Sequence, residues 1–153
     1  MTESKTISVI ESLVETVENG EKGFAEAADK LEKDGNPTLA AEMRELSQQR
    51  LRMSNELKAI AAAEGNPIDD GNGTVPGAMH RTYMALRDAL TGDDPHAVLA
   101  AAEQGEDHAK TEFESALEED LPVSVRSVVE RQYGEVKTAH NRVRDLRDAH
   151  ADN

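Results

Sequence analysis

The sequence predicts an all-α protein, a four-helix bundle made of two antiparallel helical hairpins, and three observations lead there. Only two Phe, two Tyr and no Trp are present in 153 residues, while Ala, Glu, Leu and Val abound. That composition suits long helices more than sheets. Apolar residues recur at three- and four-residue spacing over long stretches, and those stretches are cut by Gly–Asn–Pro and Asp–Pro breaks. One pattern also occurs twice. Glu18-Asn-Gly-Glu21 in the first half is answered by Glu103-Gln-Gly-Glu106 in the second, and Val14, Val17 and Ala28 are answered by Leu99, Ala102 and Phe113.

The first helix is expected from about Thr6 to Lys33, with Ile10, Leu13, Val17, Phe24, Ala28 and Leu31 on one face. Thr2 or Ser4 is positioned to cap it. Gly20 and Gly23 fall inside it and suggest close packing or a bend. Asp34-Gly35-Asn36-Pro37 is a stop followed by a start. The second helix is expected from about Pro37 to Glu64, with Leu39, Met43, Leu46, Met53, Leu57 and Ile60 in its stripe. Gln49 or Arg50 must fill the gap between Leu46 and Met53. Gly65-Asn66-Pro67 ends it. The stretch from Ile68 to Pro76 reads as loop, and a short helix is expected over about 75–90, with Met79, Tyr83, Leu86 and Leu90 on one face and His80 beside them. Asp94-Pro95 starts the third long helix, expected to reach Glu119. Leu121-Pro122 turns the chain into the fourth, expected to reach Ala149. Its stripe is Val125, Val129, Gln132, Val136, His140, Val143 and Leu146.

A chain of 153 residues is one domain's worth. It divides into a hairpin at about 5–65, a crossover at about 66–94 carrying the short helix, and a hairpin at about 95–150. Short turns force antiparallel neighbours within each hairpin, and the crossover is long enough to run the length of the bundle.

Polar residues fall on the buried stripes at mid-height. Glu21 sits between Val17 and Phe24, and Glu106 between Ala102 and Ala109. At ~1.5 Å rise per residue, Glu21 and Gln49 both lie ~20 Å from the first hairpin's turn. Glu106 and Gln132 lie at comparable depth in the second. The expectation is a polar layer to which each helix gives one side chain: Glu21, Gln49, Glu106 and Gln132. His140 points inward two turns further on. Buried carboxylates must be satisfied by a cation or by hydrogen bonds. Glu–Gln hydrogen bonds with Arg50, or a protonated carboxyl, are sufficient to do so.

Asn19-Gly20-Glu21-Lys22-Gly23-Phe24, Gln49-Arg50, Gly77-Ala78-Met79-His80-Arg81, Gly105-Glu106-Asp107, and Gln132 with Val136 and His140-Asn141-Arg142 carry a resemblance over nearly the whole chain. The sequence resembles a bacterial ferritin-like family of four-helix bundles known only as a domain of unknown function. The resemblance implies a ferritin-like bundle with one crossover and brings no established activity. Small ferritin-like proteins often serve in stress survival, which the resemblance extends here as an expectation. Di-iron members supply Glu-x-x-His from two helices. The stretches here read Gln49-Arg-Leu-Arg52 and Gln132-Tyr-Gly-Glu135, and the upstream glutamates open Glu45-Leu-Ser-Gln48 and Glu130-Arg-Gln-Tyr133; none contains the histidine. A metal centre would therefore rest on Glu21 and Glu106, with Gln49, Gln132, His140, Glu45 and Glu130 as neighbours. Such a carboxylate–amide set suits Mg²⁺ or Ca²⁺, or weakly held Fe or Mn.

The remaining signals mostly exclude. There is no cysteine, hence no thiolate chemistry. A net charge of -14 argues against nucleic acid as a partner. The opening residues lack the basic start and apolar run of a signal peptide, and no stretch suits a membrane span, so a cytoplasmic protein with no membrane partner is expected. No glycine-rich phosphate loop or nucleophile elbow occurs. Asp69-Asp-Gly-Asn-Gly-Thr lacks the final bidentate Glu of a calcium loop. Two main readings remain: a non-catalytic binding or assembly protein, expected as a homodimer, and a metal-dependent oxidoreductase or metal store with a degenerate carboxylate site. A third is a small-molecule pocket between the hairpins, lined by Glu21, Glu106 and Gln132.

Overall fold

The computed structural model describes residues 2–68, 87–88, 90–92 and 94–150. Four long helices make up these residues, with no strand among them: α1 (Thr2–Lys33), α2 (Pro37–Ala63), α3 (Pro95–Leu117) and α4 (Val123–Ala149). The short helix expected over about 75–90, with His80, Arg81 and Tyr83, lies almost wholly outside the described residues, as does the loop after Ile68.

The helix ends follow the chemistry of the breaks. Gly35 and Gly65 adopt φ values of 86° and 85°, which an L side chain adopts only with strain. At both, the next amide turns back to a carbonyl of the last turn: Asn36 N–H to Leu31 at 2.8 Å and Asn66 N–H to Ala61 at 3.0 Å. Asp94 caps α3 by accepting from the His96 amide at 3.0 Å, with Pro95 in the first turn. One expectation changes. α1 begins at Thr2, so Thr2 and Ser4 are helical residues and not caps. α1 runs unbroken through Gly20 and Gly23, because a helix supported on two sides tolerates the ~1 kcal/mol that each glycine costs.

α1 packs against α2 and α3, α3 against α4, and α4 more loosely against α2. α2 and α3 are diagonal, as are α1 and α4. Neighbours across the hairpins are antiparallel. Lys5, near the start of α1, pairs with Glu119 just past α3. Glu42, near the start of α2, pairs with Arg142 toward the end of α4.

The core is divided. One apolar cluster gathers Ile10, Leu13, Val17, Leu57, Ala61, Phe113, Val125 and Val129. A second gathers Phe24, Leu31, Leu39, Met43, Val98, Leu99 and Val143. α2 ends in the first cluster and α3 begins in the second. Among the described residues, no helix is long and apolar enough to cross a membrane.

Candidate functional site

Between the clusters lies a polar waist, and Arg50 is its centre. Met43, Arg50, Leu57 and Ala61 are all buried on the inner face of α2, so the gap in the apolar stripe is filled by the arginine. Its side chain is fully enclosed, yet it reaches across the bundle diagonal. Nη2 donates to Glu106 Oε2 at 2.6 Å, with side-chain exposures of 0% and 2%.

Gly20 lies against the arginine. A β-carbon there would stand 3.5 Å from both Cγ and Nη1 of Arg50. One turn on, the Phe24 ring lies under the guanidinium, 5.4 Å from centroid to Cζ. The charge thus rests on a ring face, against a bare helix backbone, and on one carboxylate. Arg50 Nε and Nη1 have no hydrogen-bond partner among the described residues.

Gln132 is the second buried polar group. Its Nε2 donates to the Met53 carbonyl at 3.2 Å and to Glu56 Oε1 at 2.8 Å, bridging the loose α2–α4 seam. Arg131 holds the other Glu56 oxygen. Burial alone raises the Glu56 pKa, but the hydrogen bonds from Arg131 and Gln132, with the arginine's charge, outweigh it and leave that pKa below its ordinary value. The Oε1 atoms of Gln132 and Gln49 are buried without a partner among the described residues.

The other expected members stand apart. Glu21 is half-buried, and its carboxylate makes no hydrogen bond or ion pair among the described residues. Its backbone carbonyl also accepts from Ser47 Oγ at 2.9 Å. The position on α1 that faces the centre is Gly20, and Glu21 flanks it. Gln49 is also half-buried, and Glu45 and Glu130 are exposed. His140 is half-buried on the α3–α4 seam, where Nε2 lies 2.6 Å from Asp107 Oδ1 and 3.8 Å from Glu103 Oε2. Arg147 holds the opposite oxygen of Glu103. Glu18 accepts from Ser54 Oγ at 3.1 Å and pairs with Lys58 at 2.8 Å.

The expected four-carboxamide-and-carboxylate layer is therefore asymmetric. Glu106 and Gln132 enter the core, Glu21 and Gln49 do not fully, and Arg50 supplies the missing charge. Among the described residues, no three His, Asp or Glu side chains are grouped to hold a metal ion. Sequence reasoning named Arg50 as one of two fillers of a gap and as a group able to satisfy the buried carboxylates, but did not place it at the centre with Glu106 as its partner. The sharper signal was available: a glycine on α1 at the same depth from the turn as an arginine on α2.

Fold and site together define an all-α four-helix protein with a charged pair buried at its centre. The chain belongs to the family described as "Domain of unknown function (DUF2383)", whose model matches residues 5–119. That span includes Arg50, Glu106 and Gly20, and ends before α4. No curated protein matches the chain.

Proposed function

We propose that this chain is a non-catalytic helical-bundle protein that works by assembly, as a homodimer, or by holding a partner. Its architecture is read as a ferritin-like bundle with one crossover. The ends of the described helices support that: α2 finishes in one apolar cluster, α3 begins in the other, and residues 64–94 have to join them. The single observation that carries the functional reading is the Arg50–Glu106 pair. A guanidinium at 2.6 Å already neutralises the most deeply buried carboxylate among the described residues. A cation placed beside Glu106 would face that charge at close range in a poorly solvated interior, where repulsion is weakly screened.

Elemental analysis of protein purified without chelator is the test. Fe, Mn and Zn far below one per chain, with no binding or oxidation of added Fe²⁺, is the expected result. Stoichiometric iron or manganese that is lost in Glu106→Gln would overturn this reading in favour of the metal-dependent alternative built on Glu21 and Glu106. Light scattering tests the assembly: a dimer mass is expected, and a strict monomer at high concentration counts against it.

A further inference from the structure

Arg50 carries more donors than Glu106 uses. Nε and Nη1 are buried and unpartnered among the described residues. Nη1 lies on the α1 side of the guanidinium, 3.5 Å from where a β-carbon of Gly20 would stand. The next residue on α1 is Glu21, the counterpart of Glu106 in the repeated pattern. Its half-buried carboxylate has no partner among the described residues. α2 is already against that turn of α1, because Ser47 donates to the Glu21 carbonyl. Glu18, one turn earlier, is occupied by Ser54 and Lys58.

We propose that Arg50 is a two-position latch whose second partner is Glu21. An arginine cannot discharge itself by losing a proton in a protein. Whenever Glu106 lets go, the buried guanidinium needs another anion, and the unpartnered carboxylate beside Gly20 supplies one. The two positions have different mechanical consequences. Arg50 on Glu106 ties the first hairpin to the second across the diagonal. Arg50 on Glu21 satisfies the charge within the first hairpin and releases α3. The distribution between them sets how firmly the two hairpins are held together.

Thermal unfolding of the full chain tests this with Glu21→Gln, Glu106→Gln and the double variant. In the wild-type background, Glu21→Gln is expected to shift Tm by no more than ~1 °C, as for a half-exposed group without partners. In the Glu106→Gln background the same change removes the remaining anion. The double is expected to fall at least ~4 °C below the sum of the singles, as contacting groups are not additive. The excess is expected to vanish when Arg50 is replaced by Met. A double equal to the sum of its singles, or an excess that persists in Arg50→Met, overturns the latch. Should Glu106→Gln fail to fold, Glu106→Asp, which shortens the first partner by one methylene, decides by the same comparison. An equal cost of Glu21→Gln in the wild-type and Glu106→Asp chains then overturns it.

Discussion

The hairpins α1–α2 and α3–α4 repeat one pattern and use it differently at mid-height. In α3 the buried residues narrow from the pairs Val98–Leu99 and Ala101–Ala102 to the single line Glu106, Ala109, Phe113 and Ala116, and Glu106 stands on that line. In α1 adjacent buried pairs lie on both sides of the middle turn. Leu13 and Val14 are both enclosed, and so are Ala27 and Ala28. At the middle turn the corresponding pair is Gly20 and Glu21, and the glycine takes the central position. The second helices diverge in a complementary way. The position of Arg50 on α2 is matched on α4 by Tyr133, which is half-buried and donates to Glu114 at 2.5 Å. One hairpin therefore carries a cation at its centre and the other a carboxylate. The two halves fit because they differ: two buried glutamates would repel, whereas one glutamate and one arginine attract.

The strongest way to break this comparison is to remove the cation. Arg50→Met leaves Glu106 buried and unpaired, which typically costs ~3–5 kcal/mol. For a chain of this size that is a fall in Tm of ~10–15 °C by thermal unfolding. The matched change in the other hairpin, Tyr133→Leu, removes a contact to an exposed glutamate and a ring under Lys137. Its cost should stay near ~1 kcal/mol or less. Equal losses at the two positions would mean that the hairpins are not divided in labour as described.

A second contrast is smaller. Gln132→Leu deletes the hydrogen bonds that span the α2–α4 seam to Met53 and Glu56. We expect ~1–2 kcal/mol, read as a lower midpoint in urea with an unchanged slope. Gln49→Leu, its counterpart in the repeat, removes a buried oxygen that has no partner among the described residues. It should be neutral or slightly stabilising. Reversal of that order would show that the buried oxygens, and not the bridging amide, govern the seam.

Much of this was legible in the sequence, and the reasons separate by length scale. Four helices and their turns follow from periodicity and from Gly35, Gly65 and Asp94, all local signals. The inward positions of Glu106 and Gln132 follow from their stripes. What periodicity alone could not decide was α1, where seven-residue spacing from Ile10 through Val17 and Phe24 leaves both Gly20 and Glu21 near the centre line. The choice is made against a residue on another helix: Arg50 packs on Gly20, with Cγ and Nη1 each 3.5 Å from where a β-carbon would stand. Glu45 and Glu130 sit next to stripe residues in sequence, yet a rotation of ~100° per residue carries them into solvent.

The contact between Gly20 and Arg50 gives a further trial. If the glycine gives Arg50 room but no tighter than ordinary contact, then Gly20→Ala should be tolerated. The new methyl would meet Arg50 at 3.5 Å, a normal van der Waals separation. Removing a helix-interior glycine should then stabilise the chain by ~0.5–1 kcal/mol, a rise of ~1–3 °C in Tm. A fall of several degrees would show that the arginine's packing tolerates no intrusion, and that the asymmetry between Gly20 and Glu21 is a close steric fit.

The smallest expected effect lies at the rim of the waist and depends on pH. Glu56 has a lowered pKa, with burial opposing and Arg131 and Gln132 favouring the charged form. A carboxylate whose pKa is lower folded than unfolded lends stability that is present above the unfolded value and is lost as pH falls through the folded one. The difference in Tm between wild type and Glu56→Gln should therefore be constant from neutral pH down to ~5, and should shrink below the ordinary glutamate value of ~4.3. Because Arg131 and Glu56 are substantially solvent-exposed, the whole effect should amount to only a few tenths of a kcal/mol, ~1 °C or less, and should weaken further in high salt. A difference that grows on acidification has the opposite sign, and would mean that Glu56 binds a proton more readily in the folded chain than in the unfolded one.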